Sequence, residues 1–325
     1  MGEFDLIKRY FTPEHYSNDV LLGVGDDAAV LAVPEGFRLV AAVDTIVEGI
    51  HFPIQTTAAD IAYRALAVNL SDMAAMGARP RWFTLSLSVP NASESWLSEF
   101  SASLSQLAAR FDVQLVGGDT VKGPLSISIQ ILGWVEQGRW LTRSGARPGD
   151  LIFVSGVPGE AAGGLQLLLK PHIQAAPEYC EHLLQRFYRP TPRVELGVQL
   201  KGIASAAMDV SDGLLTDLRK LCVASQCGAD LQLESLPSSV SLRAVFGDTA
   251  AEHLSLQGGD DYELLFTLPA DRLSDLEAIA SQTDVMCTQI GRITLDGGVR
   301  CYHKQSMVMI QDSGFDHFAD NKQNQ

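Results

Sequence analysis

The chain has 325 residues, enough for two domains at roughly 100–200 residues each. Its 24 basic and 39 acidic side chains give a formal charge of −15, which argues against DNA, RNA or a polybasic membrane contact as the main partner. That charge leaves nucleotides open, because an acidic site can hold phosphate through a divalent cation.

The opening Met1-Gly2-Glu3-Phe4-Asp5 lacks the basic-then-apolar order of a secretion signal. Polar residues break every apolar run well short of the ~18 needed to cross a membrane, so no spanning helix is expected. Cys180, Cys222, Cys227, Cys287 and Cys301 are odd in number and scattered, which fits free thiols in a reducing cytoplasm. No Cys/His spacing suggests zinc.

In chain order, residues 37–43 read as a strand, 57–76 as a helix and 82–89 as a strand. A helix over 93–111 follows, with Ser93 as a plausible N-cap, then strands at 114–117 and 126–135. The polar, Gly/Pro-punctuated stretch from Thr142 to Asp150 marks the domain boundary, giving domains 1–148 and 149–319 and a frayed tail 320–325. Beyond it lie a strand at 151–154, a Gly156-Val157-Pro158-Gly159 turn into a helix to 170, and helices near 177–188 and 193–205. A strand at 206–210, a helix at 213–226, strands at 263–268 and 287–293 and a helix at 272–282 complete the reading. The fold class is mixed α/β in two domains.

Acidic residues beside small ones recur along this frame: Gly23-Val24-Gly25-Asp26-Asp27, Asp44-Thr45, Asp72, Gly117-Gly118-Asp119-Thr120, Asp209-Val210-Ser211-Asp212-Gly213 and Gly258-Gly259-Asp260-Asp261. Each alone reads equally as a turn, a strand end or a helix cap. Asp72 stands out. At helical spacing it falls within about 40° of Ile61, Ala65 and Val68, the one carboxylate on an apolar stripe. Such a group is costly to bury without a cation or hydrogen-bond donors, unless the helix ends early and Asp72 caps the next turn. If strand ends bring these acids together, they recruit hard divalent cations, which favour oxygen ligands and bridge to phosphates. A Walker P-loop is absent, as is the protein-kinase motif set.

In this order the segments resemble the thiamine-monophosphate kinases, part of the ATP-binding superfamily that includes aminoimidazole ribonucleotide synthetase and selenophosphate synthetase. The resemblance also rests on His51-Phe52, on Asn69-Leu70-Ser71-Asp72-Met73, on Leu141-Thr142-Arg143-Ser144-Gly145 and on Gly314-Phe315-Asp316-His317-Phe318. It implies an N-terminal mixed sheet with helices on one face, a C-terminal α/β domain, and a cytoplasmic homodimer joined through the N-terminal sheets. It further implies transfer of the ATP γ-phosphoryl group to thiamine monophosphate. By family position, Asp27, Asp44, Asp72, Asp119, Asp209 and Asp212 are Mg²⁺ ligands. Gly118, Asp119, Arg143 and Ser211 contact ATP, and His51, Asp260 and Phe315 contact thiamine monophosphate.

Three positions depart from the family pattern. Ala42 and Val43 replace the frequent Ser or Thr before Asp44, Asp260 replaces the usual Glu, and Phe315 lacks the polar group of Tyr or Trp. The first departure keeps open a non-catalytic nucleotide sensor. Selenophosphate chemistry would want an N-terminal Cys, and the first here is Cys180.

Overall fold

The computed structural model of the chain describes residues 3–91 and 93–310. The first half contains α1 (Glu3–Tyr10), β1 (Val20–Leu22), β2 (Val30–Leu31), β3 (Phe37–Val47), α2 (Ala58–Ala75), β4 (Arg79–Val89), α3 (Glu94–Arg110), β5 (Gln114–Lys122) and β6 (Ser126–Glu136). Next come β7 (Leu151–Ser155), α4 (Glu160–Leu169), α5 (Pro177–Tyr188), α6 (Val194–Leu200), β8 (Ala206–Asp209), α7 (Leu214–Ser225) and β9 (Gly228–Gln232). Last are α8 (Val240–Phe246), α9 (Asp248–Gln257), β10 (Leu264–Leu268), α10 (Leu273–Thr283), β11 (Cys287–Thr294), β12 (Gly298–His303) and β13 (Ser306–Val308).

These elements form two units. One joins the described residues up to Leu141 with Tyr188–Gly202, and the other joins Thr142–Phe187 with the described residues from Ile203. The chain thus returns to its first unit after α5. The return is held by close packing of α6 on α2, where a Cβ on Gly197 would lie 2.0 Å from the Ala74 carbonyl oxygen. Only glycine lets the two backbones approach so nearly.

In the first unit, alternating apolar residues build a four-stranded sheet of order β3-β6-β4-β5. Ile127, Ile129 and Ile131 on β6 turn inward and are buried under α2. Helix α3 lies beside α2 and against β5, so the helices cover one face, as expected. The hairpin of β1 and β2 lies beyond the reading above, since strands of three and two residues leave little periodicity to detect. It caps the Trp82–Trp134 pair, whose rings meet edge to face at 5.3 Å.

The second unit carries a seven-stranded sheet of order β13-β12-β9-β11-β7-β10-β8, antiparallel except where β12 joins β9. Strands β7 and β10 are buried throughout, which is why they read as unbroken apolar runs. Helix α7 fills one face with Leu214, Leu218 and Leu221, while Phe153 and Phe266 stack at 5.7 Å. Helix α6 ends at Leu200 rather than near 205, because the Lys201-Gly202 turn breaks it. Helices α8 and α9 escape the sequence reading because Gly247 splits one apolar pattern into two short pieces.

Candidate functional site

The expected site residues gather in pairs of motifs within each unit. Helix α2 does not end before Asp72: it runs to Ala75, with Ile61, Ala65 and Val68 at 2%, 2% and 1% exposure on the same stripe. Asp72 is therefore a half-buried helical carboxylate and not the cap of a later turn. One turn earlier, Asn69 is fully buried. Its Nδ2 donates to the Ala65 carbonyl at 2.9 Å, and its Oδ1 accepts the Asp44 backbone N–H at 3.1 Å. Asn69 thus ties α2 to β3 at Asp44 and sets Asp72, three residues on, along the same side of the helix.

A second pairing joins the Gly23–Asp27 turn to the Gly-Gly-Asp segment of β5. Val24, Gly117, Gly118, Asp119 and Thr120 line one cavity of about 40 Å³ with Ile7, Phe11, Leu85 and Leu115. The Tyr16 hydroxyl holds the turn by accepting the Val24 N–H at 2.8 Å. Asp27 and Asp119 are both exposed.

The sheet does not bring Asp44 and Asp119 together. They lie on β3 and β5, the two edges of the four-stranded sheet. Three strand spacings, about 14 Å, separate those edges.

In the second unit, two motifs distant in sequence run side by side. The Asp260 N–H donates to the Ser211 carbonyl at 2.8 Å, the Tyr262 N–H to Val210 at 2.9 Å, and the Val210 N–H to Glu263 at 2.8 Å. Asp260 and Tyr262 take left-handed conformations at φ 70° and 53°, unusual for non-glycine residues. Asp209 is buried at 6% exposure, and Ser211, Asp212 and Asp260 are half-buried. Neither Ser211 nor Asp212 caps α7: that position falls to Gly213, which has no side chain to cap with.

The remaining expected contacts are His51, Arg143 and Phe315. His51 follows β3, and its Nδ1 accepts the Val47 N–H at 3.1 Å, so Nε2 carries the proton of the neutral ring. Arg143 is exposed in the second unit, and the Ser225 hydroxyl donates to its carbonyl at 3.0 Å. Phe315, with residues 314–318, falls outside the described residues, as does the expected tail.

Several polar residues supporting the site were not singled out from sequence. Asp217 on α7 is fully buried and accepts the backbone N–H groups of Ser211 and Asp212, each at 3.0 Å. Lys220 donates to Asp217 at 2.8 Å and also to Asp212. Burial pushes the Asp217 carboxyl above its ordinary range, against the pull of Lys220. Burial acts to lower Lys220, but the hydrogen bonds it donates to Asp212 and Asp217 raise it overall.

Asp261, buried at 1% exposure, accepts N–H groups from Gly159 and Ala161 at 2.6 and 3.2 Å, at the start of α4. Burial drives its pKa well up against those bonds and Arg186. Behind it, Arg186 donates to Glu263 at 2.8 Å and Ser155 to the same carboxylate at 2.6 Å. Helical spacing from Gly213 could have flagged Asp217 as a polar residue on an apolar face. Nothing local marks Arg186.

The donors are oxygens throughout. Among the described residues, no group of three or more His, Cys, Asp or Glu is arranged to hold a metal ion. Carboxylates met one or two at a time fit Mg²⁺, which keeps several waters and takes its other ligands from substrate phosphates.

Two family profiles match: AIR synthase related protein, N-terminal domain, over residues 25–135, and AIR synthase related protein, C-terminal domain, over residues 147–304. The thiamine-monophosphate kinase of Haemophilus influenzae is 46% identical over 329 aligned residues, covering 99% of each chain. Among solved structures, the thiamine-monophosphate kinase of Stenotrophomonas maltophilia K279a is 46% identical with a TM-score of 0.84, covering 90% of this chain and 93% of its own. AaThiL complexed with AMPPCP and TMP is 31% identical with a TM-score of 0.78, covering 98% of this chain and 97% of that one.

Proposed function

The chain belongs to the AIR synthase related family and, within it, to the thiamine-monophosphate kinases; from that membership we infer that it transfers the terminal phosphoryl group of ATP to thiamine monophosphate, yielding thiamine diphosphate and ADP. The observation that carries this reading is near-half identity along the whole length of a named kinase of that activity. The structure of AaThiL with AMPPCP and TMP supports the same pair of ligands.

The acceptor is itself a phosphate oxygen, so the chain needs no nucleophile and no strong base. Its residues have to place two anionic groups in line and offset their charge. We assign Ser211, Gly118, Asp119 and Arg143 to ATP, the last because a guanidinium forks onto phosphate oxygens. His51, Asp260 and Phe315 are assigned to thiamine monophosphate. Stitching the Asp260 loop to the Ser211 loop through their backbones supports donor and acceptor sites that adjoin. Asp27, Asp44, Asp72, Asp119, Asp209 and Asp212 would hold Mg²⁺. When bound, that ion supplies charge neutralisation between carboxylates and phosphates. Lys220 already offsets part of the Asp212 charge.

Incubating the chain with γ-labelled ATP, Mg²⁺ and thiamine monophosphate is expected to put label into thiamine diphosphate. Nucleotide binding without turnover would instead support the sensor that Ala42 and Val43 leave open.

We further propose a homodimer, which two observations support. The outward face of β3 exposes Leu39 at 53% and Val43 at 62%. The same strand carries Asp44 on the edge opposite Asp119. A second copy that sets its β5 beside this β3 would bring the Asp44 and Asp119 segments into one interface. Mixed Asp44→Asn and Asp119→Asn chains are then expected to recover activity that neither has alone. No recovery, or sedimentation as a 35.1 kDa species, would rule that arrangement out.

Five free thiols support a reducing cytoplasm as the compartment. No described helix is long and apolar enough to cross a membrane.

A further inference from the structure

Resting on the kinase reading above, the geometry points to Asp217 as the positioning residue of the nucleotide side of the site. It is fully buried, yet its two oxygens are spent on one short stretch of backbone and one lysine. The stretch is Ser211-Asp212, and Ser211 is the residue assigned to ATP. A carboxylate buried for stability alone is a poor choice, because desolvating it costs several kcal/mol before its bonds repay anything. An apolar side chain would fill the same place more cheaply.

The direction of the bonds shows what the carboxylate does. A helix start normally gives its first N–H groups to a side chain at the cap. Here the cap is Gly213, and Asp217 reaches back from the first turn of α7 past that cap to two residues that precede the helix. Both N–H groups of the loop are thereby turned inward, onto Asp217. The opposite side of the loop is fixed by the Asp260 N–H on the Ser211 carbonyl. With its backbone donor and acceptor both committed, Ser211 is fixed in one orientation, and the Asp212 N–H is held beside it. Asp217 touches neither substrate in this scheme and acts through the loop it holds.

The test separates positioning from mere support of the fold. Both N–H groups fall on the one oxygen Oδ2, so Asp217→Asn could still accept them while setting its amide N–H groups against Lys220; Asp217→Leu, of similar size, removes the acceptor altogether. Asp217→Leu is expected to raise KM for ATP at least tenfold and to weaken Mg-AMPPCP binding, read by calorimetry, by a similar factor. KM for thiamine monophosphate is expected to stay within twofold. Equal rises in both KM values, or a lowered Tm with both unchanged, would overturn the assignment.

If the variant does not fold, hydrogen exchange on the wild-type chain decides. The Ser211 and Asp212 amides should exchange at least 100-fold more slowly than the exposed turn at Gly25, and fast exchange at both overturns the proposal. A wild-type chain that binds AMPPCP yet makes no thiamine diphosphate overturns the kinase reading and not this one.

Discussion

Asp72→Asn is expected to cut turnover by at least about 100-fold while the chain folds as the wild type does. The factor follows from metal sites in general, where losing a partner one shell removed from the ion already costs about 10–100-fold. Asparagine has the same shape, so the apolar stripe of Ile61, Ala65 and Val68 keeps its packing. What goes is a formal charge on the side of α2 that Asn69 fastens to β3 beside Asp44. Label transfer from γ-labelled ATP measures the first effect, and scanning calorimetry the second. Turnover at the wild-type rate would remove Asp72 from the site and with it the pairing of α2 and β3 as a cation-holding face.

The second large effect is expected at Gly118→Ala. A Cβ there would stand 2.0 Å from the Leu85 carbonyl oxygen and 3.0 Å from its nitrogen. Both are backbone atoms of β4, the strand paired with β5 through Leu85 and Gly118, so no side chain can swing away to make room. The edge strand has to shift, at a cost of about 1–3 kcal/mol for overpacking. The shift moves Asp119 and the wall of the small cavity shared with Val24. Denaturant midpoints should report the stability loss, and Mg-AMPPCP affinity should fall at least tenfold. A variant with wild-type affinity would show that this stretch of β5 does not touch the nucleotide.

Much of the candidate site could be proposed from sequence because its residues are chemically odd where they stand. A carboxylate on an apolar helical stripe, or a Gly-Gly-Asp at the end of a predicted strand, is visible in one dimension. The two-unit α/β fold was legible for the same reason: α2, β4, β6 and β10 have strong periodicity or unbroken apolar runs. The elements passed over are short or polar. Strand β9 contains Gly228, Asp230 and Gln232, and finds its place only because β11 and β12 flank it. Helices α8 and α9 are separated by a single glycine and hold no clear period alone.

The amino-acid order by itself determined which side chains are candidates for the chemistry: oxygen donors without thiol or imidazole clusters, glycines beside acids, and the motif order shared with the kinase family. Tertiary structure alone decided how they are supported and which of them meet. Asp217 bonds to residues five and six positions away, but Arg186 reaches Glu263 across 77, and the Asp260 loop lies on Ser211 across about 50. It also put Asp44 and Asp119 on opposite sheet edges, which follows from strand order and from nothing written near either residue. The physical reason is that burial sets the worth of a hydrogen bond or charge pair, and burial belongs to the folded chain.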